Sequence, residues 1–174
     1  MKVITHPPLA SLWAIERLPE LGPGPPNVTV RPALAGLTPE TAFSVVRDRE
    51  AGMACISGLW LYHDFLDESH TISQDLPSWY GSYWHGIMHR REPDASNAKY
   101  WFRRVEANPV FEALAGEASE LGLTLKSRKW DPFAFVDQCE RERGRETDGE
   151  MTCRRVQLRE MQLLFEWCYG KAIT

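Results

Sequence analysis

Apolar residues recur at spacings of three and four along most of the chain from residue 37 onward, and no stretch of useful length alternates between apolar and polar. The recurring spacing is typical of amphipathic helices. Three helix starts repeat one device, a capping side chain followed by proline, at Thr38-Pro39, Asn108-Pro109 and Asp131-Pro132. The pattern predicts an all-α, single-domain multi-helix bundle, and paired helices leave a helical-repeat-like packing open.

The longest helical pattern runs from Thr38 to about Gln74, and a break near residues 47–49 is left open. The segment DLPSWYG, residues 75–81, predicts a loop because it combines proline, glycine and polar residues. Ser82 is then expected to cap the helix that follows this loop.

Proline is concentrated near the N-terminus, where eight of the twelve prolines precede residue 40. Because proline lacks an N–H and fixes φ, the segment from Leu21 to Pro32 predicts extended or turn structure. We interpret residues 1–36 as an N-terminal arm packed on the domain, anchored by Leu12 and Trp13. Residues 37–174 then form the helical domain.

Composition restricts the function more than it identifies it. The chain has 174 residues and a formal net charge of −4, which argues against binding to nucleic acid or to an acidic membrane surface. No run of about 18 apolar residues exists, so no membrane-spanning helix is expected. The four cysteines form no CxxC pair, and the N-terminal residues lack the apolar core of a signal peptide. These features predict a cytoplasmic protein with reduced thiols.

The apolar stripe of the longest helical segment continues as imidazole and carboxylate. His63, Asp67 and His70 fall within roughly 60° of arc on a continuous helix with about 100° per residue. Burying such groups costs several kcal/mol unless they are paired or bind something. The stripe therefore indicates either a polar network or a ligand site.

The next helix repeats this arrangement with His85, His89 and Glu92 at i, i+4 and i+7. If the short loop makes the two helices neighbours, the imidazoles and acids converge in one inter-helix crevice. Neutral imidazole and carboxylate suit a divalent zinc, iron, nickel or manganese ion. The expected metal ligands are His63, His70, His85 and His89, and the expected acid–base residues are Asp67, His89 and Glu92.

A purely structural alternative stays open for these histidines. Two histidines four residues apart occur often without a metal. A buried histidine is usually a hydrogen-bonded core residue, and the neighbouring acids offer partners. In that case the histidines form a structural polar network that holds the two helices together.

Aromatic and basic side chains surround the same region. Arginine forks bind carboxylate or phosphate groups bidentately, and aromatic faces can hold a ring. The expected substrate-binding residues are Tyr83, Trp84, Arg90, Arg91, Lys99 and Trp101. Core packing and cation–π contacts are the alternative role of these side chains.

Two segments, LYHDFLDESHTISQ (residues 61–74) and GSYWHGIMHRREPDASNAKYWFRR (residues 81–104), resemble a family of bacterial all-helical proteins of uncharacterised activity. The resemblance implies that residues 81–104 are the centre of that family and implies no reaction. The His63-Asp64 pair is similar to metal-dependent phosphohydrolases of the HD class, but the only histidine further upstream, His6, lies in the arm. The paired Glu-x-x-His motifs of di-iron carboxylate bundles are not found in register.

Two functions follow from these observations. One is a metal-dependent enzyme, of the hydrolase or oxidase type, that acts on a small anionic substrate in the crevice. The other is a non-catalytic helical module that binds a small anionic or aromatic molecule, or a peptide.

Overall fold

Ten α-helices and no strand form the described part of the chain, residues 6–174, in a computed structural model. The helices are α1 Pro7–Trp13, α2 Arg31–Ala35, α3 Pro39–Ala42, α4 Arg49–Tyr62, α5 Leu66–Ser73, α6 Trp79–Arg91, α7 Ala95–Phe102, α8 Pro109–Glu120, α9 Pro132–Glu142 and α10 Asp148–Ile173. The prediction of an all-α, single-domain bundle is confirmed. None of the described helices is both long enough and apolar enough to cross a membrane.

The caps expected from the sequence begin their helices at the predicted residues. The Oδ1 atom of Asn108 accepts hydrogen bonds from the first backbone N–H groups of α8 at 3.0 and 3.1 Å, and Asp131 does the same for α9 at 2.9 and 3.1 Å. Thr38 caps α3 through the N–H of Thr41. Each cap satisfies N–H groups that no helical carbonyl can reach.

The loop before α6 is shorter than predicted. The helix begins at Trp79, inside the segment 75–81 that the sequence predicts to be a loop, and its cap is Ser78 instead of Ser82. The Ser78 hydroxyl accepts a hydrogen bond from the N–H of Gly81 at 3.2 Å. The early start adds one turn to α6.

The predicted segment 38–74 is interrupted twice. Residues 43–48 separate α3 from α4, so the break left open near residue 47 exists. The second break was not predicted: α4 ends before His63, and Asp64 has a φ of +66°, in the left-handed region that side chains disfavour. A continuous helix therefore does not carry both His63 and His70, and the arc calculated for them does not apply.

Buried ion pairs hold the second break in place. The Asp64 carboxylate accepts hydrogen bonds from Arg17 and from Arg91. Arg91 also donates to the carbonyl oxygens of Leu61 at 2.8 Å and Gly22 at 3.2 Å. Residues of the proline-rich segment and of α6 thus fix the turn between α4 and α5.

The proline-rich N-terminal segment packs against the helices. Leu12 is buried, and the Trp13 ring stacks on Phe165 of α10 with centroids 4.2 Å apart and an interplanar angle of 11°. Residues 1–5 of the predicted arm lie outside the described residues. The division into an arm and a helical domain stays a prediction.

Helix α6 carries His85 and His89, and it packs against α4, α5 and α7. It contacts α4 where the Trp84 ring lies against Gly58. A Cβ atom at Gly58 would lie 2.6 Å from the Trp84 ring, so only glycine fits there. This close contact fixes the position of α6 relative to α4 and, with it, the positions of His85 and His89.

Candidate metal centre

Three histidines of α5 and α6 meet at one place. His70, His85 and His89 each offer a ring nitrogen, and these three atoms all lie within 4.8 Å of one another. The His70 ring centre lies 4.7 Å from that of His85 and 5.3 Å from that of His89. Because residues four apart share a helix face, α6 presents both of its histidines to α5. The structure thus brings together three of the four expected metal ligands, in a group that could hold a metal ion.

His85 is the most enclosed of the three. Its Nδ1 atom lies 2.9 Å from the Ser73 hydroxyl, and its ring centre lies 4.1 Å from that of Trp101. Burial lowers the pKa of His85 to about 3, and the neighbouring His89, His70 and Arg104 add to this effect. The ring is therefore neutral at physiological pH, which is the state that binds metals.

His89 connects the cluster to a carboxylate. Its Nδ1 atom lies 2.9 Å from Oε2 of Glu92, whose side chain is 48% exposed. Its Nε2 atom lies 2.9 Å from Nε2 of His85. Burial lowers the pKa of His89, while the charge and hydrogen bond of Glu92 oppose that shift. A carboxylate on the far nitrogen orients the ring and makes the free nitrogen a better ligand.

The carboxylate at Nδ1 fixes the proton of His89, whereas the Ser73 hydroxyl permits either tautomer of His85. An ionised carboxylate only accepts, so Glu92 places the His89 proton on Nδ1 and leaves a lone pair on Nε2. The Ser73 hydroxyl lies 2.8 Å from the carbonyl oxygen of Ser69, to which it can donate. In that arrangement Nδ1–H of His85 donates to Ser73, and Nε2 of His85 also presents a lone pair. Two lone pairs 2.9 Å apart need a proton or a cation between them.

His63, the fourth expected ligand, does not join the cluster. It follows the last residue of α4, and its Nε2 atom lies 3.1 Å from the carbonyl oxygen of Leu12. Its Nδ1 atom lies 3.4 Å from the side-chain amide of Asn27, and burial lowers its pKa. The turn at Asp64 ends α4 and directs His63 toward the N-terminal segment, where it contacts Leu12.

The two expected carboxylates take different positions relative to the histidine group. Asp67 lies in the first turn of α5 and is exposed, and it is not a member of the histidine group. Glu92 follows the last residue of α6 and binds His89, as its spacing of three residues allows. The acid that supports the cluster is therefore Glu92, whereas Asp67 is exposed at the start of α5.

Three of the expected substrate-binding residues lie inside the protein and contact other residues. The Tyr83 hydroxyl donates to Glu160 at 3.0 Å, and the Arg90 guanidinium pairs with the same carboxylate. Arg91 pairs with Asp64. Tyr83, Arg90 and Arg91 are each 0% exposed. Because their partners lie far away in the sequence, the charge pattern alone predicted exposed guanidinium groups where the structure has buried ion pairs.

The remaining three residues of that set take different positions. Trp84 is fully buried over Gly58, so it is a core residue in the structure. Lys99 pairs with Asp137 at the surface. Trp101 is half-buried and lies against His85. Trp101 is therefore the member of the set that the structure places at the cluster.

Two residues of this site, Ser73 and Arg104, are not among the expected site residues. Ser73 follows His70 by three residues, one helical turn along α5, and this spacing could have identified it as a partner for the histidines. Arg104 lies two residues beyond the end of α7, and its guanidinium carbon is 4.9 Å from the Trp101 ring centre. The sequence pattern does not distinguish Arg104 from the basic residues next to it.

Comparison of the chain with protein-family models, with curated proteins and with solved structures finds no match. The arrangement of side chains is therefore the basis for any functional conclusion.

Proposed function

We propose that the chain binds one divalent transition-metal ion through His70, His85 and His89 and uses it for metal-assisted hydrolysis of a small molecule. The observation that carries this proposal is the pair of Nε2 atoms of His85 and His89, which face each other at 2.9 Å. Each ring has an oxygen partner at Nδ1 that can accept the ring proton and leave Nε2 free to bind a cation.

The distance between the two nitrogens suits a shared metal ion. Imidazole nitrogens bind zinc at about 2.0–2.1 Å. Two such ligands at a right angle are about 2.9 Å apart, and at a tetrahedral angle about 3.4 Å apart, for the same bond length. The observed 2.9 Å matches the first value, and a small side-chain rotation reaches the second.

The ligand set favours hydrolysis over oxidation. Three imidazoles that leave a coordination position for water are typical of catalytic zinc sites, whereas non-haem iron oxygenases use two histidines and one carboxylate. The carboxylate nearest the cluster, Glu92, faces Nδ1 of His89 instead of the gap between the rings. A bound ion would lower the pKa of its water toward neutral and supply a hydroxide nucleophile.

A structural role for the cluster is the second candidate, and a specific observation favours it. Without a metal, the Ser73 hydroxyl can donate to Nδ1 of His85, Nε2–H of His85 to His89, and Nδ1–H of His89 to Glu92. Every donor in this series of three hydrogen bonds has an acceptor. The helices α5 and α6 would then be joined by a polar network that binds a small ligand or a peptide without chemistry.

The deciding experiment is metal binding by protein made without a histidine tag. After removal of bound metal with a chelator, titration with Zn²⁺ in a calorimeter should give about one ion per chain. H70N, which changes the half-exposed ligand and spares the core, should weaken binding by at least about tenfold. H6Q is the matched control, because His6 is not a member of the histidine group, and it should bind Zn²⁺ like the unchanged protein.

Binding of less than about 0.1 ion per chain after exposure to zinc, iron, nickel and manganese would contradict the metal site. Turnover is tested separately, with nitrophenyl phosphate and nitrophenyl acetate on the zinc-loaded and metal-free proteins. Hydrolysis by the loaded protein that H70N abolishes supports the enzyme. Stoichiometric zinc without turnover supports a non-catalytic module.

A further inference from the structure

Arg104 is an exposed cation next to the histidine cluster. Its guanidinium lies over the Trp101 ring, with the carbon 4.9 Å from the ring centre. The Trp101 ring centre lies in turn 4.1 Å from that of His85. Arg104 thus contacts the same indole ring that contacts a proposed metal ligand.

Three other cations of this region pair with carboxylates, and Arg103 lies over Tyr100 instead of Trp101. Arg90 pairs with Glu160, Arg91 pairs with Asp64, and Lys99 pairs with Asp137. Among residues 6–174, Arg104 has a contact with an aromatic ring but no carboxylate within ion-pair distance. Its five N–H donors are thus available to a group from outside the chain.

An unpaired guanidinium beside a metal site is unfavourable in the absence of an anion. A divalent ion held by His85 would repel the Arg104 guanidinium, because Coulomb energy scales with the product of the two charges. A substrate whose oxyanion group binds the guanidinium would offset this repulsion, because the anion attracts both positive charges.

We infer that Arg104 binds an oxyanion group, carboxylate or phosphate, of the molecule on which the metal centre acts. This inference rests on the proposed function and names its substrate class. The planar fork of arginine matches both kinds of oxyanion, and contact with Trp101 holds the fork in place. Arg104 takes the role that the sequence assigned to Arg90 and Arg91.

The test uses the full chain loaded with Co²⁺, whose visible spectrum reports ligands at the metal. Inorganic phosphate and acetate are titrated separately, with calorimetry as a second readout. The two arms distinguish a phosphate substrate from a carboxylate substrate. R104Q should bind the same amount of Co²⁺ as the unchanged protein but bind the better anion at least about tenfold more weakly. The anion affinity of R104K should lie between those of R104Q and the unchanged protein, because lysine keeps the charge and loses the planar fork.

R103Q is the matched control. Arg103 is an exposed neighbour whose guanidinium lies 5.9 Å from the Tyr100 ring centre, and its removal should leave anion affinity unchanged. Equal anion affinity in R104Q and the unchanged protein, with Co²⁺ bound in both, would overturn the role of Arg104 but not the proposed metal site. Failure of the unchanged protein to bind Co²⁺ would overturn the proposed function, and this inference with it.

Discussion

The Nε2 atoms of His85 and His89 face each other at 2.9 Å, while Ser73 and Glu92 hold the opposite nitrogens of the same rings. This arrangement would be satisfied with a metal ion as well as without one. The proton of His85 would lie on Nδ1 if an ion were bound, and it can lie on Nε2 if none is. The Ser73 hydroxyl allows both, because it has the Ser69 carbonyl as a second partner.

Acid is expected to destabilise the metal-free protein. The pKa of His85 is lowered to about 3 in the folded state, whereas the same ring in the unfolded chain titrates near its ordinary value of about 6.5. Between these values the unfolded chain binds the extra proton, so stability is lost as the pH falls through that window. The loss for this ring is at most about 1.4 kcal/mol per pH unit.

Urea unfolding from neutral pH down to about pH 4 measures this effect through the free energy of unfolding. H85Q removes the titrating ring and should show a weaker dependence on pH over the same range. The same slope in H85Q and the unchanged protein would show that His85 is not held neutral in the folded state.

Exchange of Glu92 for glutamine should weaken metal binding by about 10- to 100-fold. The carboxylate of Glu92 fixes the His89 proton on Nδ1, whereas an amide can also donate and so no longer selects one tautomer. D67N is the control, since Asp67 carries the same charge on the neighbouring helix but lies exposed outside the group. Calorimetric Zn²⁺ titration should separate the two variants, and an equal loss in both would assign the effect to net charge.

Exchange of Ser73 for alanine should also weaken metal binding, by about tenfold, and lower stability. Removal of this buried hydroxyl leaves Nδ1 of His85 without its partner, at a cost of about 1–3 kcal/mol. S119A removes an exposed hydroxyl of α8 and should change neither quantity. Unchanged Zn²⁺ affinity in S73A would mean that Ser73 does not orient His85.

The local features of the fold could be predicted from the sequence because their causes are local. Asn108 and Asp131 cap the helices that follow them, since each needs only backbone donors two or three residues away. His85 and His89 share a face because they lie four residues apart on one helix. The proximity of His70 to this pair could be predicted because a short loop joins α5 and α6.

The errors arise where distant residues override the local pattern. Asp64 adopts a left-handed φ because Arg17 and Arg91 bind its carboxylate from other parts of the chain, and helical periodicity holds no information about those partners. Arg90 is buried because Glu160, 70 residues later, neutralises it. A sequence alone indicates where a charge occurs but not whether a distant partner removes it from solvent.

Exchange of Asp64 for alanine should destabilise the protein by about 3–5 kcal/mol, since it leaves the fully buried guanidinium of Arg91 without its counter-charge. E40A is the control. It breaks an ion pair with Arg49 in which both side chains are mostly exposed, and such pairs contribute less than about 1 kcal/mol. Urea unfolding measures both, and a D64A loss as small as that of E40A would contradict the structural role of the buried pair.

Two glycine-to-alanine exchanges should have opposite effects on stability. G58A places a methyl group 2.6 Å from the Trp84 ring, so the ring or the α4–α6 spacing must shift, at a cost of about 1–3 kcal/mol. G116A meets nothing within 4 Å on α8 and should stabilise the helix by about 0.5–1 kcal/mol, because alanine loses less backbone freedom on folding. Thermal unfolding compares them directly. If G58A unfolded at the same temperature as G116A, α6 would not approach α4 as closely as the structure has it. G58A should in addition weaken Zn²⁺ binding while G116A does not, because a shift of α6 moves His85 and His89 relative to His70.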